Sequence, residues 1–113
     1  SLGLIRDPQF GPILMLGAGG TLIELLKDRR FALPPFDEGE ALRHLNALAL
    51  RLLLDGKRGA PPADLEKLSH AISRFSVLAA DLGDLIAEAD ANPLIAGPQG
   101  CVALDALIVP RKD

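Results

Sequence analysis

Glu88, Asp90 and Asn92 lie two residues apart in the stretch from Leu85 to Ala96. In an extended chain, side chains alternate between faces, so these three share one face while Ala89, Ala91 and Pro93 take the other. Beyond a Gly97-Pro98-Gln99-Gly100 turn, Asp105 is the one acid in the apolar run from Cys101 to Val109, about opposite Asn92. Carboxylates and an amide, with no thiolate or imidazole, are hard oxygen donors that suit Mg²⁺, which normally comes with phosphates. Acids gathered on one face repel unless a cation or basic group offsets them. The same spacing also describes a solvated sheet face, and an Asp on an edge strand guards against edge-to-edge pairing. Spacing alone leaves both readings open.

Three other groups could carry chemistry. Gly17-Ala18-Gly19-Gly20 could cradle phosphates through backbone N–H groups. It is neither a Walker loop, lacking Gly-Lys-Ser/Thr, nor a dinucleotide fingerprint, since no helix opens there, and a bulge or wide turn explains it equally. Glu24 is the only acid in the aliphatic run that follows; it could face the same site as Asp90 or mark a half-exposed strand. His44 and His70 fall in helical patterns without a nucleophile in recognisable relation, and Cys101 beside a glycine turn reads as a small strand hydrophobe. No residue is assigned a nucleophilic or acid–base role.

The elements that must position these residues are read from periodicity. Leu2 to Arg6 and Ile13 to Leu16 flank the turn-rich Asp7-Pro8-Gln9-Phe10-Gly11-Pro12, which predicts a β-hairpin. Thr21 to Leu26 and Arg30 to Leu33 predict two more strands. Asp37 is an expected N-cap for a helix that runs to about Leu53 and ends before Gly56, with Ala41, Leu42, Leu45, Leu48 and Ala49 at helical spacing. A second helix starts at Asp64 or the residues just before it, carries Leu65, Leu68, Ile72, Phe75, Leu78 and Ala79 as one stripe, and ends near Leu82-Gly83. Leu85 to Ala96 and Cys101 to Val109 form a terminal hairpin. This order predicts an α+β fold, an antiparallel sheet with two helices packed on one face, in a single domain over residues 1–113.

Composition narrows the function classes. The 113 residues are 49% hydrophobic, enough for a core without disulfides, and have a formal charge of −3 with no basic stripe, which argues against nucleic acid as a partner. One cysteine excludes an internal disulfide and fits a cytoplasmic setting. No apolar run approaches the length of a membrane span. The chain opens on Ser-Leu-Gly-Leu-Ile, as if in mid-strand, so a fragment of a longer protein is expected.

Together the motifs resemble one family. Asp7-Pro8-Gln9-Phe10-Gly11-Pro12, Gly17-Ala18-Gly19-Gly20 with Glu24 and Asp28, Leu53-Leu54-Asp55-Gly56-Lys57-Arg58-Gly59, Glu88-Ala89-Asp90-Ala91-Asn92-Pro93-Leu94 and Ala103-Leu104-Asp105-Ala106 are similar to the ATP-grasp region of NDP-forming acyl-CoA synthetases, in the same order. The resemblance extends more distantly to the succinyl-CoA synthetase β chain. It implies the C-terminal lobe of an ATP-grasp region, with Asn92 and Asp105 as Mg²⁺ ligands. Gly19, Gly20, Glu24, Glu88 and Asp90 would face the nucleotide, ATP or another NTP. Asp90 keeps a carboxylate where relatives often have Glu, with a shorter reach. An upstream ATP-grasp lobe and a CoA-binding domain would complete the ligase, with CoA and the acyl group held there and the isolated piece inactive. The alternative is a non-catalytic α+β docking or oligomerisation module that keeps the fold.

Overall fold

A computed structural model of the chain describes residues 1–17, 28–55, 61–92 and 94–112. The first hairpin forms as the sequence predicts: β1 (Leu2–Asp7) pairs antiparallel with β2 (Gly11–Gly17), Leu4 opposite Leu14. The Asp7 carboxylate closes the turn by accepting the backbone N–H groups of Gln9 at 2.7 Å and Phe10 at 3.0 Å. Gly11 takes φ +77°, a left-handed value that glycine adopts freely. The strand read over Arg30 to Leu33 is β3 (Arg29–Ala32), paired with β2. The strand read over Thr21 to Leu26 lies outside the described residues.

The first helix, α1, spans Glu38–Ala47, and Asp37 caps it by accepting the Glu40 N–H at 2.8 Å. It stops well before the predicted Leu53. Leu48 is extended (ψ 144°), and the next N–H, that of Ala49, is taken by the Asp28 carboxylate at 2.7 Å. A 3₁₀ helix then covers Ala49–Asp55. Leu48 is buried all the same, so its position in the apolar pattern is satisfied although the helix has ended. The partner that redirects the chain is twenty-one residues upstream, beyond the reach of a local pattern.

The second helix, α2 (Leu65–Leu82), starts where expected and is capped by Asp64, whose carboxylate accepts the Lys67 N–H at 3.0 Å. Leu68, Ile72 and Ala79 of its predicted stripe are buried, whereas Phe75 and Leu78 are half-buried at its margin. The stripe is rotated because Ser73 and Ser76 also turn inward. The Ser73 hydroxyl donates to the Phe36 carbonyl at 2.7 Å, and the Ser76 hydroxyl accepts the Phe36 N–H at 3.0 Å. Two small hydroxyl residues thus satisfy the loop entering α1 and join the helices.

The terminal hairpin forms, but in two parts. β4 (Ile86–Ala91) pairs with β1 and with β7 (Ala106–Pro110), giving a five-stranded antiparallel sheet of order β3-β2-β1-β4-β7. β5 (Leu94–Gly97) and β6 (Gly100–Ala103) pair separately as a two-stranded arm. One face of the large sheet, carrying Leu2, Leu4, Leu14, Leu16, Ile86 and Ala89, is buried under the helices with Phe36, Ala41, Leu45, Leu68 and Ile72. This is the α+β arrangement expected, with both helices on one face.

Candidate functional site

The face of the sheet turned away from the helices is built by register. Leu4 and its partners Leu14 and Ala89 point into the core, so the neighbouring positions point outward. One row crosses all five strands: Phe31, Met15, Gly3, Asp90 and Leu107. A register shift in β4 between Ile86 and Glu88 allows both Ile86 and Ala89 to be buried although they are three residues apart, and it leaves Glu88 exposed opposite Val109. Glu88 and Asp90 therefore share the outer face, as their spacing predicts.

Gly3, opposite Asp90, was not singled out by the sequence. A Cβ there would stand 3.4 Å from the Asp90 carboxylate, so the bare glycine leaves room for that side chain over β1. The only sequence signal is a glycine inside an apolar strand, a mark of close approach by something else. At the far end of the row Arg29 lies over the Phe31 ring, 5.8 Å from its centroid, which places a cation on the same face. Arg29 pairs with Gly17, where a Cβ would fall 2.4 Å from the Asp28 carbonyl oxygen, so the end of β2 and the backbone at Asp28 come that close only because residue 17 is glycine.

Asn92 and Asp105 meet at an elbow. The chain leaves the large sheet after Ala91 and returns at Ala106, and between these points the Asn92 N–H donates to the Asp105 carbonyl at 3.1 Å. Asp105 thus lies between β6 and β7, where the sequence reading has it inside one continuous strand, and Asn92 lies between β4 and β5. The facing relationship holds, and both residues are exposed. The break accounts for an acid amid aliphatics, because position 105 is not a rung of either ladder. The arm beyond the elbow is fixed at its tip: the Asp64 N–H donates to the Gly97 carbonyl at 2.8 Å, and the Lys67 ammonium reaches the Gln99 carbonyl at 3.3 Å.

The structure thus brings Asn92 and Asp105 together and puts Glu88 and Asp90 on the outer face of the adjoining strand. Gly19, Gly20 and Glu24 lie outside the described residues. Among the described residues, no three His, Cys, Asp or Glu side chains gather closely enough to form a metal centre alone. The histidines take no part. His44 is buried under the helix layer, accepting at Nδ1 from Arg30 Nε (3.0 Å) with Nε2 3.4 Å from Glu40, and His70 is held by Glu38 at 2.5 Å. With Arg30 donating to Nδ1, the neutral ring carries its proton on Nε2.

An ATP-grasp domain model matches residues 1–109. The chain belongs to the ATP-grasp family. This ATP-grasp chain is 38% identical over 108 residues to the β subunit of acetate–CoA ligase (ADP-forming) I from Pyrococcus furiosus, covering 96% of the chain and 46% of the relative. It is 40% identical over 109 residues to 4-hydroxybutyrate–CoA ligase (ADP-forming) from Nitrosopumilus maritimus, 95% of the chain and 16% of that protein. The dinucleotide-forming acetyl-coenzyme A synthetase 1 of Ca. Korarchaeum cryptofilum, solved with coenzyme A and Mg-AMPPCP, superposes with a TM-score of 0.85 at 40% identity over 97% of this chain and 51% of that one. The chain matches the ATP-grasp portion of ADP-forming acyl-CoA synthetases and spans about half the length of the subunits, or less of the longer relatives. None of its described helices is long and apolar enough to cross a membrane.

Proposed function

We propose that this chain supplies one wall of the Mg-nucleotide site of an acyl-CoA synthetase, which couples an acid and CoA to cleavage of ATP, or another NTP, to the diphosphate and phosphate. The observation that carries the reading is the elbow, where Asn92 and Asp105 are held side by side, exposed, at the end of a strand whose outer face bears Glu88 and Asp90. An amide oxygen and one carboxylate suit Mg²⁺, which keeps most of its shell as water and phosphate and takes few protein ligands. The metal would offset charge on the transferred phosphoryl group, and Asn92 and Asp105 would hold it in register with the sheet.

Glu88 and Asp90 orient waters or a basic group brought from the other side of the nucleotide, and the family resemblance assigns Gly19, Gly20 and Glu24 to nucleotide binding as well. A single wall cannot enclose a nucleotide. An upstream ATP-grasp lobe closes the site, other domains bind CoA and the acyl group, and the 113-residue chain alone carries out no ligation. The cytoplasm is the compartment that fits such a substrate set.

The test is calorimetry of Mg²⁺-dependent ATP binding by the full parent protein, comparing wild type with Asn92→Ala and Asp105→Ala. The reading requires each variant to keep its fold and lose binding by about 10-fold or more, the loss of a charged or hard ligand being worth about 1.4 kcal/mol or above. Wild-type binding in both variants overturns it.

A further inference from the structure

Two residues that disfavour the fold meet at one cavity. It has a volume of about 340 Å³ and lies between α1, the 3₁₀ segment and the first turns of α2, on the helix side of the sheet and so apart from the nucleotide wall. Ser69 lines it and is only 3% exposed, and its hydroxyl is the one buried side-chain polar atom among the described residues with no hydrogen-bond partner. A buried hydroxyl left unpartnered weakens folding. Gly39 lines the same cavity from the first turn of α1, where glycine forms helix less well than alanine. Nothing in the chain demands glycine there. Its φ is not left-handed, and a Cβ would meet a single atom, Asp37 Oδ1, at an ordinary 3.4 Å.

The rest of the lining says what would make use of both. Leu42 and Leu65 give the cavity apolar flanks. At one end Arg51 is already occupied: its Nε donates to Asn46 Oδ1 at 2.9 Å, and its guanidinium also binds the Asp55 carboxylate. The unsatisfied charges are acids. Glu38 holds His70 Nδ1 at 2.5 Å through one carboxylate oxygen, and Glu66 forms no ion pair among the described residues. We infer that this cavity binds a small organic cation, a primary ammonium on a short aliphatic chain that carries a hydroxyl or carbonyl oxygen. Glu66 and the remaining oxygen of Glu38 take the ammonium, Leu42 and Leu65 flank the chain, and the Ser69 hydroxyl bonds the oxygen. The bare backbone at Gly39 lets the ligand pass close over α1. An anion would meet two carboxylates and no free cation, so it is rejected.

The experiment is saturation-transfer NMR on the full parent protein, with linear aminobutanol as probe and the matching butanediol as its uncharged comparison. The expected result is saturable binding of aminobutanol in the millimolar range, about ten-fold tighter than butanediol, as a charge-assisted contact implies. Glu66→Gln removes most of that preference, Ser69→Ala weakens both compounds alike by about five-fold or more, and Gly39→Leu, which fills the cavity, abolishes both. Ser69→Ala and Gly39→Leu each replace a disfavoured group, so both variants are expected to melt no lower than wild type. A lower melting temperature in either overturns the inference, because the chain itself then uses the residue. No saturable signal also overturns it, as when another part of the parent fills the cavity. So does equal affinity for the two compounds, or wild-type affinity in Ser69→Ala and Gly39→Leu, which marks the signal as unspecific attraction to surface acids. No readout involves nucleotide, so a failure here is distinct from a failure of the Mg-nucleotide reading.

Discussion

Gly3 governs Asp90 by having nothing to put in its way. A methyl group there would make ordinary van der Waals contact with the carboxylate at 3.4 Å, so Gly3→Ala is expected to bind Mg-nucleotide in the parent protein much as wild type does. Gly3→Leu drives the Asp90 side chain off β1 and raises the Mg²⁺ concentration needed for half-maximal binding, read by titrating Mg²⁺ at fixed ATP. Ser76 is a different case, fully buried and accepting the Phe36 N–H. Ser76→Ala strands that donor in the core and is expected to cost about 1–3 kcal/mol in urea unfolding. Burial raises the pKa of the Cys101 thiol. The folded chain then keeps that proton to higher pH than the unfolded chain does, so this group's contribution is complete below the thiol's ordinary value of 9.0 and is lost as pH rises beyond it. The stability difference between wild type and Cys101→Ala, followed by urea unfolding from pH 8 upward, is expected to shift against wild type as pH passes that value. That Asn92 and Asp105 face each other was legible, because oxygen donors in an apolar context are conspicuous and the turn between them sets the register. The places of Gly3 and Arg29 on the same outer face were not, because they depend on cross-strand register, which no single segment encodes.

At the scale of elements, the starts of the two helices were the most readable features. Asp37 and Asp64 both accept an N–H three residues on, as their positions before acidic and apolar-periodic runs imply. Each replaced by Ala should lower stability by about 1 kcal/mol, and Asp64→Pro, which removes the backbone N–H that holds Gly97, should also loosen the arm. Exchange of the arm amides, measured by NMR, distinguishes the donor from the cap: faster in Asp64→Pro, unchanged in Asp64→Ala and Asp37→Ala. What the pattern missed were the ends set by distant partners. The Asp28 carboxylate takes the Ala49 N–H and so fixes where the 3₁₀ helix begins after α1 has ended, although Leu48 and Ala49 continue the helical spacing. The terminal hairpin hid its break for a related reason. The apolar sequence pattern continues through the elbow, and only the change of sheet reveals that four strands are present where two were read.

Across the whole molecule, the two faces of the sheet divide the labour. The inner face makes the core, and the outer face carries the polar groups proposed to meet the nucleotide. A wall of this kind should show no MgATP-dependent rise in melting temperature by itself, whereas the parent protein should show one, because only a ligand bound to the folded state stabilises it. The elbow between them has a mechanical meaning. On one side it is bolted into a five-stranded sheet, and on the other the arm's tip is fastened to the start of α2 by Asp64 and Lys67. A bar clamped at both ends does not swing about its bend. In any catalytic cycle, Asn92 and Asp105 would then act as a fixed anvil, and the opening and shutting that admits substrate would belong to whatever part of the enzyme comes down upon it.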